Sequence, residues 1–454
     1  QAKPSQEAAI PVVRLNGDAQ RRRPSLLVPV RMFCALNGRR RHSMHLDAGD
    51  GPFPRRHRAS GQLGRLPRIA ASASLLSTLL CLFFRQDYAE VLSQPESYPS
   101  QHQAVMQGMT HLLGSSGGEG GGGLPGIQSG MIWRDTEGEV IQAHGGGVLY
   151  HSGTYYWYGE NKAGPTYQPD ERYPARVDVI GVSCYSSANL VVWENRGVAL
   201  PFSADITSDL HPSRVVERPK VIFNESTKKF VMWMHIDSAM YDAARAGVAV
   251  SDSPDGPFEY KGSFQPHRAE SRDLTVFKDD DGVGYLIYSS EDNMVTHISE
   301  LNATYTGVNR GFHRVFINLQ REAPAVFKHE GLYFILTSGC SGWWPNAAQV
   351  HVAQAMAGPW KSLGNPCRSS NVTMRETTFE SQGNYVLPLP QKPGQFIFMA
   401  DRWNEHHLGH SRYVWLPMNV SVPPAGSPQL ENASAEDRMQ WTRVSIQWKD
   451  AWIP

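Results

Sequence analysis

Three acidic residues stand in one repeated sequence context. Glu217 lies in Val216-Glu-Arg-Pro-Lys-Val-Ile, Asp273 in Ser271-Arg-Asp-Leu-Thr-Val-Phe, and Glu322 in Arg321-Glu-Ala-Pro-Ala-Val-Phe. Each is followed, after a short spacer, by an apolar strand-like run that leads to an aromatic one. A single acid of this kind is usually solvated or paired with the adjoining Arg, but three in equivalent places point to a shared pocket. Gathered carboxylates cannot all ionise freely, because each raises its neighbours' pKa, while Arg218, Arg272 and Arg321 oppose that effect. One carboxyl kept protonated near neutral pH is what a glycosidase needs to protonate a leaving alcohol. Aromatic side chains for stacking on sugar faces are also present in Trp157, Tyr158, Tyr241, Trp343, Trp344 and Trp403. Taken singly, each of these is more often core than platform.

The elements that must position these residues repeat along the chain. Gly153-Thr-Tyr-Tyr-Trp-Tyr-Gly-Glu, Lys228-Lys-Phe-Val-Met-Trp-Met-His, Gly282-Val-Gly-Tyr-Leu-Ile-Tyr-Ser-Ser, Gly331-Leu-Tyr-Phe-Ile-Leu-Thr-Ser and Gly394-Gln-Phe-Ile-Phe-Met-Ala-Asp share one form. A small or turn residue opens each, an aromatic follows, and an apolar strand ends in a polar group. Five copies at intervals of roughly 50 to 75 residues predict five four-stranded blades around a channel, a β-propeller. Val248-Ala-Val-Ser-Asp-Ser-Pro-Asp-Gly-Pro-Phe258 and Val350-His-Val-Ala-Gln-Ala-Met-Ala-Gly-Pro-Trp360 read as equivalent corners between third and fourth strands. Polar residues just before or after a propeller's inner strands lie toward its axis, and the three acids fall there. An all-β, five-bladed propeller is therefore expected over residues 130–454.

The rest of the chain differs in composition. At 41% hydrophobic and 19% charged residues the protein is globular in composition, and its formal charge of zero is a cancellation. Residues 1–68 carry net +10 and the remainder net −10. The basic part, with Arg21-Arg22-Arg23, Arg39-Arg40-Arg41 and Arg55-Arg56 among Pro and Gly, reads as a disordered arm. Ile69–Phe84 follow as 16 uncharged residues, about 24 Å of helix, expected to be a short signal-anchor segment. A cleaved signal peptide, giving a secreted or cell-wall protein, is the alternative. The positive-inside rule places the arm in the cytosol and everything after Arg85 in the lumen, a type II arrangement assigned to the Golgi membrane. Residue 1 is Gln, and Met32 and Met44 are candidate starts that both keep a basic flank. Residues 85–129, polar and then Gly-rich, read as a flexible stem.

Sequons at Asn224, Asn302, Asn371, Asn419 and Asn432 agree with a secretory route. Cys184, Cys340 and Cys367 fall after the anchor; the expected bridge joins Cys340 to Cys367, which flank one predicted blade, with three buried thiols as the alternative. His406-His407 and His410 read as a polar loop, so no metal site is assigned. Nucleotide loops, zinc-spaced cysteines and a Ser-His-Asp signature are absent from the sequence. No cofactor and no nucleic-acid partner are expected.

At this point the motifs carry a resemblance. Gln142-Ala-His-Gly-Gly-Gly, Tyr156-Trp-Tyr-Gly-Glu-Asn-Lys162, Glu217-Arg-Pro-Lys, Ser271-Arg-Asp, Arg321-Glu-Ala-Pro, Thr337-Ser-Gly-Cys-Ser-Gly-Trp343 and Ala400-Asp-Arg-Trp resemble glycoside hydrolase family 43. More narrowly they resemble its exo-β-1,3-galactanase subgroup, including plant-type members with an N-terminal anchor. The resemblance covers about residues 130–454 in unbroken order. It implies an enzyme that releases galactose from the non-reducing end of β-1,3-galactan, as in arabinogalactan-protein glycans, by an inverting mechanism. By the same resemblance Glu322 is the general acid and Asp273 the carboxylate that tunes and orients it. Glu217, Tyr241, Trp343 and Glu160 are then substrate-binding. The wider family places an Asp base on the first blade, where this chain has Gln142-Ala-His144. In the galactanase subgroup that base is likewise absent, and Gln382 matches the glutamine that holds the attacking water. Some family members hold a calcium ion or a water at the propeller axis. The alternatives are an α-L-arabinofuranosidase or β-xylosidase of the same family, which a first-blade Asp would favour, and a non-catalytic glycan-binding propeller.

Overall fold

The computed structural model describes residues 126–168, 175–389, 392–423 and 435–454. The basic arm (1–68), the anchor segment (69–84), the stem as far as residue 125 and the sequon at Asn432 lie outside the described residues. Among the described residues no helix is long and apolar enough to cross a membrane.

After β1 (Ile127–Gln128), blade one begins with β2 (His144–His151) and β3 (Thr154–Glu160). A two-stranded ribbon of β4 (Thr166–Tyr167) and β5 (Arg176–Val177) intervenes before β6 (Gly181–Ser187) and β7 (Glu194–Pro201) complete the blade. Blade two is β8 (Val215–Asn224), β9 (Lys229–Asp237), β10 (Arg245–Ser251) and β11 (Glu259–Phe264). Blade three is β12 (Leu274–Lys278), β13 (Gly284–Ser290), β14 (Val295–Glu300) and β15 (His313–Val315). Blade four is β16 (Arg321–His329), β17 (Leu332–Gly339), β18 (Gln349–Ala353) and β19 (Lys361–Gly364). The chain continues through β20 (Cys367–Arg368) and a short helix to β21 (Gln382–Pro388), β22 (Gln395–Arg402), β23 (Arg412–Ser421), β24 (Arg443–Gln447) and β25 (Ala451–Trp452). The first four blades are antiparallel meanders of four strands. The expectation of four strands fails for blade five: β20 joins β21 to β24 by running parallel to β24, which makes five.

The aromatic repeat is the second strand of each blade, and its opening residue is the hairpin turn. Ser152-Gly153 and Glu330-Gly331 both have consecutive positive φ angles (49° and 85°, 50° and 74°), as tight hairpins that match strand twist require. These second strands are apolar on both faces because each blade packs on two neighbours. Trp157 and Tyr158 are adjacent in sequence yet point oppositely: Trp157 enters the core shared with blade five, and Tyr158 the core shared with blade two. Both are fully buried and so are core, not sugar platforms. Hydrophobic clusters of the same kind fill the interfaces of blades two and three, three and four, and four and five.

The ring is closed by β1, which pairs antiparallel with β25 (Ile127 opposite Trp452). Ser129 adds a backbone bond to Asp450 and a side-chain bond to Trp415, and Gly130 N–H donates to the Tyr413 carbonyl. The propeller thus takes in four residues that the sequence reading placed in the stem. The expected Cys340–Cys367 disulfide is absent. Cys340 follows the second strand of blade four, whereas Cys367 is buried on β20 at the outer edge of blade five. Residues that flank a blade in sequence lie at different radii in the ring.

Candidate active site

Glu217 is in β8, Glu322 in β16 and Gln382 opens β21, while Asp273 immediately precedes β12. All four stand at the beginnings of first strands. Glu217 and Glu322 lie inside their strands because each strand bulges just beyond the acid, between Glu217 and Lys220 and between Glu322 and Ala325. Strand β2 has the same irregularity between His144 and Gly147. In all three the next residue is left-handed: Gly145 at φ 60°, Arg218 at 55° and Ala323 at 50°. For a non-glycine this conformation costs about 1–2 kcal/mol. Each freed N–H donates to a carboxylate of the preceding blade. Gly145 bonds Asp401 at 2.9 Å, Arg218 bonds Glu160 at 2.9 Å and Ala323 bonds Asp273 at 3.1 Å. The bulges therefore turn the acids toward the site and latch one blade to the next.

Around Glu322 the contacts are specific. The Arg218 guanidinium grips Asp273 through Nε (3.0 Å) and Nη2 (2.9 Å). Nη2 also donates to Gln382 Oε1 at 2.7 Å, and Trp403 Nε1 donates to the same oxygen at 2.9 Å. Guanidinium and indole N–H groups only donate, so the amide orientation is fixed. Gln382 Nε2 must then face its acceptors, Glu322 Oε1 at 3.1 Å and Ser338 Oγ at 3.0 Å. Burial and the Asp273 carboxylate raise Glu322 to about 8, against the pull of Arg218, Cys340 and Arg321. Of the three arginines expected to oppose the acids, only Arg218 forms an ion pair with one of them. Arg272 turns to Glu270 and the Tyr241 carbonyl, and Arg321 to Thr337.

Beside this acid lies a second group of polar side chains. Tyr241 O–H donates to Glu217 Oε1 at 2.8 Å, and His235 Nδ1 faces Glu217 Oε2 at 3.6 Å. Lys162, itself 2% exposed, bonds Glu160 at 2.5 Å and approaches Glu217 at 3.9 Å. Burial opposes the ionised form of Glu217, but His235, Lys162 and Tyr241 together hold it down at about 2. Burial and Glu217 raise the partner acid Glu160 above its ordinary value, and Lys162 keeps its charge. The Lys162 ammonium also lies 5.2 Å from the Trp343 ring and 5.5 Å from the Trp403 ring, which meet edge to face. A pocket opens on this side, lined by Glu160, Lys162, Arg176, Val216, Glu217 and Tyr241; Glu322, Asp273 and Gln382 are not in its lining.

Glu217, His235 and Asp273 bring potential metal-ligand atoms within 4.8 Å of one another. Burial opposes the charged imidazole, but Asp237 and Glu217 outweigh it and raise His235 to about 9. His235 Nε2 pairs with Asp237 at 2.9 Å, which leaves Nδ1 facing Glu217. His406 and His407 lead into a short 3-10 turn, Leu408–His410, and these histidines belong to no such cluster among the described residues.

The structure thus gathers Glu322, Asp273, Gln382, Glu217, Tyr241, Trp343 and Glu160, while Trp344 projects outward at 60% exposure. Lys162, His235, Ser338 and Asp401 received no role from sequence. Lys162 has a visible signal, an isolated lysine after an aromatic strand, whereas Asp401 gains meaning only through its bonds to His144 and Gly145 across the closure.

Residues 145–409 match the model of Glycosyl hydrolases family 43. The chain belongs to that family. This family 43 domain is also similar to solved structures. An exo-β-1,3-galactanase from Phanerochaete chrysosporium with galactose is 37% identical over 72% of this chain and 68% of that one, with a TM-score of 0.60. A GH43 β-1,3-galactosidase with galactodeoxynojirimycin is 38% identical over 72% of this chain and 100% of that one, at 0.62. An exo-β-1,3-galactanase from Clostridium thermocellum is 36% identical over 71% and 65%, at 0.58. Another GH43 β-1,3-galactosidase is spanned over 63% of its length, so this chain matches less than two thirds of that protein. A comparison with curated proteins gives no match.

Proposed function

We propose that this glycoside hydrolase is an exo-acting galactan 1,3-β-galactosidase that inverts the anomeric centre. The observation that carries the reading is Glu322: a half-buried carboxyl raised to about 8, one hydrogen bond from a neutral amide and facing a carboxylate pinned by Arg218. Such a group is protonated at neutral pH and gives its proton to the departing glycosidic oxygen as the C–O bond breaks. Asp273 keeps it protonated. Glu217 and Tyr241, with Lys162 and Glu160 behind them, bind hydroxyls of the terminal galactose, and Trp343 contacts its face. The galactanase relatives support the choice of sugar and linkage.

The hydrogen bonds that hold both neighbouring carboxylates support the reading of inversion. Both Asp273 oxygens are taken by Arg218 and Ala323, and Glu217 is held by Tyr241, His235 and Lys162. Gln382 is left to orient the water. All four of its hydrogen-bonding positions are occupied, so it takes up the water by releasing Ser338 or Glu322 as substrate enters. An amide accepts no proton; the water adds to an oxocarbenium-like carbon and sheds its proton to solvent afterwards. The basic arm and apolar run further support a membrane-anchored enzyme of the secretory route, with the propeller on the luminal side.

The test is galactose release from debranched β-1,3-galactan by residues 126–454, followed by proton NMR of the first product. α-Galactose is expected. β-Galactose appearing first would mean retention, with Glu217 as nucleophile, and would remove Gln382 from its role; no release would leave a glycan-binding propeller.

A further inference from the structure

Lys220 takes part in none of the steps above, yet it is 1% exposed and ionisable. It stands where β8 regains register with Trp233 after the Glu217 bulge. Its ammonium donates to the Gly145 carbonyl at 2.8 Å and lies 3.4 Å from the Arg218 carbonyl. Both carbonyls belong to the left-handed bulge residues of blades one and two. Each of these residues is thus fixed at both ends, by a carboxylate on its N–H and by Lys220 on its C=O. The lysine stem fits in a slot that depends on a glycine. A Cβ on Gly147 would stand 2.8 Å from Lys220 Cδ and 3.0 Å from the Tyr385 ring of blade five.

We propose that Lys220 is a positioning residue for the hydrolytic reaction, one ammonium that locks the bulges of blades one and two together and so aims Arg218 at Asp273 and Gln382. Without it two buried carbonyls lose their donor, and the left-handed turn at Arg218 loses one of its two backbone anchors. The guanidinium that fixes Asp273 beside Glu322 and orients the Gln382 amide then has freedom to swing. The inference rests on the hydrolytic reading of the Glu322 site.

The surrounding charges make the lock responsive to pH. Burial and then Arg218 lower Lys220 to about 7, against Glu160, Asp273 and Asp401. Tyr385, raised by burial to about 12, and His144, bonded to Asp401, complete the titratable groups around it. As pH rises, Lys220 loses its proton near 7 and Glu322 near 8. Loss of the lysine's charge weakens the lock without abolishing turnover, so the alkaline fall in log kcat should begin near pH 7, below the point that Glu322 alone would set.

The test compares wild type, Lys220→Met, Gly147→Ala and the double variant on β-1,3-galactan across pH 5 to 9, with thermal melts alongside. Lys220→Met is expected to lower kcat by about 10- to 100-fold, with a smaller change in KM, and to leave an alkaline fall that begins only near 8, where Glu322 loses its proton. Gly147→Ala, which displaces the stem without removing the charge, should lower kcat similarly in wild type but by less than about threefold in Lys220→Met, because the two act through one contact. A Lys220→Met protein that keeps its kcat, or keeps an alkaline fall that begins near 7 with only its melting temperature lowered, overturns the proposal. So does full additivity in the double variant. Should Lys220→Met fail to fold, the kcat and limb of Gly147→Ala decide alone. No hydrolysis by wild type would overturn both readings, whereas an active wild type with unaffected variants overturns only the role of Lys220.

Discussion

At the residue scale, the site separates two kinds of carboxyl by their surroundings. Glu322 is half-buried beside another acid and stays protonated; Glu217 is half-buried among donors and stays ionised. Activity should fall as pH rises through about 8, when Glu322 loses its proton. Glu322→Gln is expected to cut turnover on galactan by about 100- to 10,000-fold while leaving binding nearly intact, and to affect activated aryl galactosides less because a good leaving group needs little protonation. Steady-state kinetics on both substrates check this. Asp273→Asn removes the charge that helps hold the proton, so the alkaline limb should move to lower pH; an unchanged limb at normal rate would take Asp273 out of the site. His235 gives a separate stability signature. Its folded value of about 9 lies above the unfolded value of about 6.5, so its contribution is complete below about 6.5 and lost as pH rises through about 9. The difference in melting temperature between wild type and His235→Gln should shrink over that window.

At the scale of elements, the bulges turn the acids of a repeating strand toward the candidate site. A regular β8 or β16 would alternate its side chains strictly, but the left-handed Arg218 and Ala323 reset that alternation and free an N–H for the neighbouring blade. The same device holds His144 to Asp401 across the closure of the ring. Closure itself depends on a very short element. Ile127 of β1 is buried in the core that joins blades five and one. Ile127→Ala should cost about 2–5 kcal/mol, read from the midpoint of denaturant unfolding, whereas the same change at the exposed Ile132 should be nearly neutral.

At the scale of the whole molecule, the propeller restricts which sequons a secretory host could glycosylate. Asn224 is 2% exposed, and its side chain bonds the Ala303 carbonyl, Ser226 and Thr227. Asn371 and Asn419 are exposed. Glycopeptide mass spectrometry of protein from a secretory host should therefore find Asn224 bare and glycan, where present, on the exposed sequons; a glycan on Asn224 of active enzyme would contradict this packing. Protease added to intact microsomes is expected to trim only the basic arm, and digestion of the propeller would refute the proposed topology.

The sequence by itself determined the repeat, and through it the fold and three of the acids. Strands buried on both faces must be apolar throughout, tight hairpins need left-handed residues, and both marks are visible in a linear string. The acids were legible because ring symmetry gives Glu217, Asp273 and Glu322 equivalent places before each aromatic strand. Their division of labour came only from the family resemblance and not from the pattern, since a pKa depends on neighbours far away in the chain. Arg218 meets Gln382, 164 residues distant, and Asp401 meets His144 across 257. The same limit explains the mistaken Cys340–Cys367 pairing, because order along the chain does not report radius in the ring. Gln382 and Lys220 carry no charge pattern or repeat that marks them. Only the closed ring, which brings strand beginnings from different blades to one place, fixes what each of them touches.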